Sequence, residues 1–116
     1  MRRGSHALFA IVLAIGCAYI VDHYLIHLDY YIYGLAMLEA LIASALPDVF
    51  EPAWTRNHRG GFHSWRALAA VMVMCALGIY LLLNYATIYA QAVLFIPLGY
   101  ASHLMLDALT PAGLPR

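Results

Sequence analysis

Six histidines and six acids are scattered through an otherwise apolar chain. The pair near the C-terminus is the most pointed: in GYASHLMLDALTPAGLPR, residues 99–116, His103 and Asp107 stand four residues apart. Side chains at i and i+4 share one face of a helix, so these two could grip one ion. Neutral imidazole with carboxylate is a ligand set for zinc or a similar divalent ion, with bonds of about 2.0–2.2 Å. Ionisable groups inside apolar stretches are costly and point to function.

The stretches that must position them are membrane spans. The 116 residues are 65% hydrophobic and 10% charged, far less charged than a soluble domain. Four apolar segments can be drawn, at about residues 6–28, 30–46, 65–83 and 85–109. The second is a little short for a bilayer core and ends at Pro47. Pro97 should kink the fourth, and Gly34, Gly78 and Gly99 would permit close helix contacts. The apolar run after the N-terminus is too long for a signal-peptide core and reads as a span. The expectation is therefore an all-α, polytopic membrane protein of about four transmembrane helices in a bundle, a single domain over residues 1–116. Glycines on several helices allow a homo-oligomer. Cys17 and Cys75 read as small packing residues.

Every basic residue is an arginine, and formal charge is zero. Nucleic acid is not an expected partner. Arg2 and Arg3 precede span one; Arg56, Arg59 and Arg66 lie between spans two and three; Arg116 follows span four. The other two connections hold none. The positive-inside rule then places both termini and the central loop in the cytoplasm, N-in and C-in.

On this topology His6, Asp48, Glu51, His58, His63, His103 and Asp107 gather at the cytoplasmic face, although they come from remote parts of the chain. His58 and His63 can fold back on each other across Gly60-Gly61 because glycine allows the turn. A set with several carboxylates could hold one metal or two, about 3.5–4 Å apart. A lone histidine at a helix end is usually interfacial; the ensemble on one face favours a metal site.

Four blocks in these positions resemble the YdjM-like family of predicted inner-membrane (LexA-regulated) metal-dependent hydrolases. SHALFAI resembles the opening G/T-H block, LPDVFEP the L-P-D-x-D-H/E-P block, and HRGGFHS the H-R-G-x-T-H-S block. GYASHLMLDALTPAGLP, the most specific, resembles G-Y-x-S-H-x-x-x-D-x-L-T-P-x-G-x-P. The resemblance implies metal positions at His6, Asp48, His58, His63, His103 and Asp107. Phe50 stands where the family usually has a second Asp and Phe62 where it usually has Thr, and relatives often continue into further segments. Losing an acid removes a ligand or a partner of one, and Glu51 next door is the candidate substitute.

The implied activity is metal-assisted hydrolysis, with one or two divalent ions, zinc by preference, lowering the pKa of a bound water toward about 7. Glu51 or Asp48 would accept the water proton. Arg59, the amides around Gly60 and Gly61, and the helix start at Ser64 suggest an anion cradle, to which Arg66 adds charge unless it serves as an interfacial anchor. That favours a phosphate ester, and a site at the lipid–water boundary favours a phospholipid headgroup or lipid-linked phosphate. A non-catalytic scaffold or accessory protein with a degenerate site is the alternative that Phe50 supports. Bis-histidine haem ligation by His6 and His103 ranks third.

Two features fall outside the blocks. VDHYLIHLDY places Asp22, His23, His27 and Asp29 at the outer end of span one, and reads as a polar collar within an aromatic belt of Tyr24, Tyr30, Tyr31 and Tyr33, with a second metal site or a proton relay as alternatives. Glu39 falls near mid-depth of span two, and is expected to be protonated and bonded to a neighbouring helix, near Ser44 or Gln91.

Overall fold

The computed structural model describes residues 3–50, 63–85 and 87–109. Among them the chain is all helical, with four helices long and apolar enough to cross a membrane. Helix α1 (Arg3–Ile20) runs into a wider π turn at Val21–Leu25, and the two make one span from Gly4 to Leu25. Helix α2 (Tyr30–Ala43) is followed by the short α3 (Leu46–Phe50), then α4 (Trp65–Asn84) and α5 (Thr87–Ala108).

The second span departs from the sequence expectation. Pro47 does not end it: the helix breaks at Ser44–Ala45 and resumes, with Pro47 in the first turn of α3. Proline is tolerated there because a first-turn N–H has no partner within the helix. Span two thus runs Tyr30–Phe50, 21 residues, and is not short.

Helix α5 is the hub. It packs against α4, α2 and α1, and α1 also packs on α2. Small residues make these approaches possible. Ala10, Ala14 and Ala18 form a buried row on α1, and Ala36, Ala40 and Ala43 on α2. Rows of small residues spaced by three or four let helix backbones close in where no water drives association. Gly78 presses on the α5 backbone: a Cβ there would sit 2.5 Å from Leu94 N. Gly99 presses on α2, where a Cβ would lie 2.6 Å from Ala40 Cα and closer still to the Ala40 carbonyl. Gly34 differs from expectation, since no atom lies within 4 Å of the position a Cβ would take. It faces outward and makes no helix contact; spacing alone does not say which side of a helix meets a neighbour.

The connection between the first two spans is tied by Asp22. Its Oδ1 accepts from Leu28 N at 2.7 Å and its Oδ2 from Tyr33 Oη at 2.7 Å. His27 lies outside this, 82% exposed, with Nδ1 3.1 Å from Asp22 Oδ1 and Nε2 3.7 Å from Asp29 Oδ1. Tyr24, Tyr30 and Tyr31 are exposed around it, and His23 stacks on Tyr19. Asp22 is thus a loop anchor.

Replacing Gly99 or Gly78 with Ala should destabilise the bundle by about 1–3 kcal/mol through overpacking. Gly34→Ala should be neutral or stabilising by up to about 1 kcal/mol. Denaturant-induced unfolding in detergent micelles measures all three.

Candidate metal centre

Five of the expected ligands meet at one end of the bundle. His6 is supplied by the first turns of α1, Asp48 by α3, His63 by the residue pair just before α4, and His103 with Asp107 by the last turns of α5. Four are almost wholly enclosed: the side chains of His6, His63, His103 and Asp107 are at most 6% exposed, whereas that of Asp48 is 35% exposed. Asp48 is thus the side on which the cluster opens.

The contacting atoms alternate between imidazole nitrogens and carboxylate oxygens. His63 Nε2 lies 3.2 Å from Asp48 Oδ1 and 4.0 Å from Asp107 Oδ2. His103 Nε2 lies 3.1 Å from Asp107 Oδ2 and 3.5 Å from Asp48 Oδ1. Four ligands on a tetrahedral ion with bonds of about 2.1 Å stand about 3.4 Å from one another. The four imidazole–carboxylate separations straddle that value. The other oxygen of Asp107 lies 3.5 Å from His6 Nε2. Two overlapping groups result, His6 with His103 and Asp107, and Asp48 with His63 and His103, each with donor atoms within 4.8 Å of one another.

The orientation of His103 is imposed from outside the cluster. Its Nδ1 donates to the Ser44 carbonyl at 2.7 Å. Ser44 is the C-cap of α2, and carbonyls at a helix end lack a ladder partner. With Nδ1–H so committed, Nε2 is the atom that the ring turns toward Asp107 Oδ2 and Asp48 Oδ1. A proton or a metal cation held there would lie between the three groups. A histidine ligand that donates its other nitrogen to a backbone carbonyl is the usual support of a metal site. The donor set fits a divalent ion. An imidazole nitrogen has one lone pair and serves one ion, whereas a carboxylate can bridge two. Of these five, Asp107 is the carboxylate that stands between the His6 group and the rest.

The haem alternative fails on geometry. The His6 and His103 rings are stacked at 4.0 Å between centroids, 14° from parallel. Axial ligands must leave a porphyrin plane between them, and face-to-face rings at that distance do not. His63 meets His103 edge-on at 5.2 Å.

The expected substrate-side residues divide. Ser64 N-caps α4, accepting from Ala67 N at 3.1 Å. Arg66 is exposed on the first turn of α4, at the same end of the bundle as the cluster. Glu51, His58, Arg59, Gly60 and Gly61 lie outside the described residues. Sequence reasoning missed the Ser44 carbonyl, since a backbone acceptor carries no residue signature; the break before Pro47 was the available signal.

A helical bundle of four spans with a buried His/Asp cluster at one end defines a multi-pass membrane protein with a candidate cation site. The chain belongs to the YdjM inner membrane protein family, whose sequence model matches residues 1–116, its whole length. No curated protein and no solved structure gives a significant match.

Loss of the Ser64 cap in Ser64→Ala should cost about 1 kcal/mol, with Ser64→Asn retaining most of the stability. Unfolding midpoints of the two variants against the parent check this.

Proposed function

We propose that this chain is a membrane-embedded metal-dependent hydrolase of phosphate esters, working at the cytoplasmic face on a phospholipid headgroup or lipid-linked phosphate. The observation that carries the reading is the convergence of five histidine and aspartate side chains from four separate segments, with donor atoms 3.1–4.0 Å apart. Packing alone does not favour such an arrangement, because buried charge costs stability unless it is compensated.

His63, His103, Asp48 and Asp107 would hold the principal ion, with His6 reaching a second through Asp107. A divalent ion there, zinc by ligand chemistry, would supply an acidified water and charge neutralisation at a phosphoryl oxygen. Asp48, the one partly exposed member, is positioned to take a proton from an entering water. Arg66 would contribute positive charge toward an anionic group, and Arg59, Gly60, Gly61 and Glu51 join it in the same loop by sequence. Burial of the remaining ligands keeps their lone pairs directed at one point and excludes bulk water from behind them. The position of the cluster at a bundle end favours a substrate whose polar group sits at the lipid–water boundary.

Phe50 favours a second reading. It stands where the YdjM-like family usually has an acid, and its side chain is 50% exposed at the end of α3, two residues beyond Asp48. A site lacking that acid could keep its ion and do no hydrolysis, leaving a membrane scaffold.

Metal content by mass spectrometry, coupled to a phospholipid and lipid-phosphate hydrolysis screen, decides between these. The wild type should copurify with a divalent ion, and His103→Ala and Asp107→Asn should bind it at least about tenfold more weakly. Equal, substoichiometric metal in all three proteins would remove the ligand assignment. Retained metal with no turnover selects the scaffold.

The orientation has its own test. On a background lacking Cys17 and Cys75, a cysteine replacing exposed His27 should react with an impermeant maleimide from the periplasmic side. One replacing Phe50 should react only after the membrane is opened.

A further inference from the structure

Glu39 takes no part in the His/Asp cluster. It sits within span two, and its partner Gln91 lies on α5 about 18 Å before His103 along the helix axis, at 1.5 Å per residue. Gln91 is 2% exposed. Its Nε2 donates to Glu39 Oε2 at 3.0 Å and to the Ile88 carbonyl at 3.1 Å, which uses both amide hydrogens. Two buried oxygens remain without a hydrogen-bond partner: Glu39 Oε1 and Gln91 Oε1. Among the described residues, no histidine or arginine pairs with Glu39.

The two orphaned atoms are related. Each is attached to the same carbon as an atom of the Nε2–Oε2 bond, so each lies two covalent bonds from it. An unpaired acceptor in an apolar interior is costly, and a bare carboxylate inside a bilayer lacks the water or cation that would stabilise it. A metal cation at this point would meet the amide N–H already aimed at the carboxylate. A single proton answers both vacancies. We infer that Glu39 and Gln91 form an intramembrane proton-binding site, in which Glu39 is a neutral acid whose Oε1–H donates to Gln91 Oε1. With the Nε2–H bond to Oε2 this closes a cyclic acid–amide pair. It joins α2 to α5 in the hydrocarbon region without placing a charge there.

The chain contains only two glutamates, Glu39 and Glu51. Cell-free synthesis of the Glu51→Gln protein with carboxyl-13C glutamate therefore isolates the Glu39 signal. In lipid nanodiscs at neutral pH, isotope-edited infrared spectra should show the carbonyl stretch of a carboxylic acid. The paired stretches of a carboxylate in its place would overturn the assignment. A stability comparison gives a second reading. In Glu39→Gln the new amide N–H replaces the acid proton, so the unfolding midpoint should stay within a few degrees of the parent and well above that of Glu39→Ala. A loss in Glu39→Gln as large as in Glu39→Ala would also overturn it.

Discussion

The approach of α5 to α2 at Gly99 governs this protein. Gly99 lies against the Ala40 backbone, and His103 reaches the Ser44 carbonyl with the same 59-residue offset, one turn further on. The two helices run parallel in that register. Where two backbones nearly touch, sliding requires lifting them apart, so the contact sets the height of everything beyond it. The imidazole of His103 arrives at the end of α2 because Gly99 holds α5 against Ala40. A β-carbon at that crossing would displace both helices and the carbonyl that orients the ring.

The bilayer adds the second constraint. Its interior offers no water to satisfy stray polar groups, so each must find a partner within the protein. Three solutions appear along the bundle. At one end Asp22 accepts a backbone N–H and a tyrosine hydroxyl, closing the loop between α1 and α2. In the middle Glu39 meets Gln91. At the other end five histidines and aspartates face one another, with His6 Nδ1 left without a hydrogen-bond partner. The first two arrangements hold helices together. The third brings together donor groups that could hold a cation.

The break in span two serves that site. A continuous helix through residue 50 would tie up the carbonyls of its last turns in the usual ladder. The interruption at Ser44–Ala45, followed by Pro47 in a new first turn, leaves the Ser44 carbonyl to the His103 imidazole and carries Asp48 over the cluster. Backbone irregularity at membrane depth is tolerated where protein buries it. Here the irregular segment faces the buried end of α5.

Much of this was legible in the sequence. Four apolar runs, spaced polar loops and a His-x-x-x-Asp pair determined an all-helical bundle with candidate ligands at one end, because hydrocarbon thickness and helical periodicity act on residue type alone. The placement of Asp48, His63, His103 and Asp107 together follows from topology: an even number of crossings returns distant segments to the same face. Tertiary structure decided what depends on rotation and register. It put Gly34 outward and Gly99 inward, gave Glu39 to Gln91 in preference to Ser44, made Asp22 a loop anchor, and stacked His6 on His103 too closely for a haem. Each of those outcomes turns on which side of a helix meets its neighbour, and small residues on several faces leave that undetermined until the backbones pack.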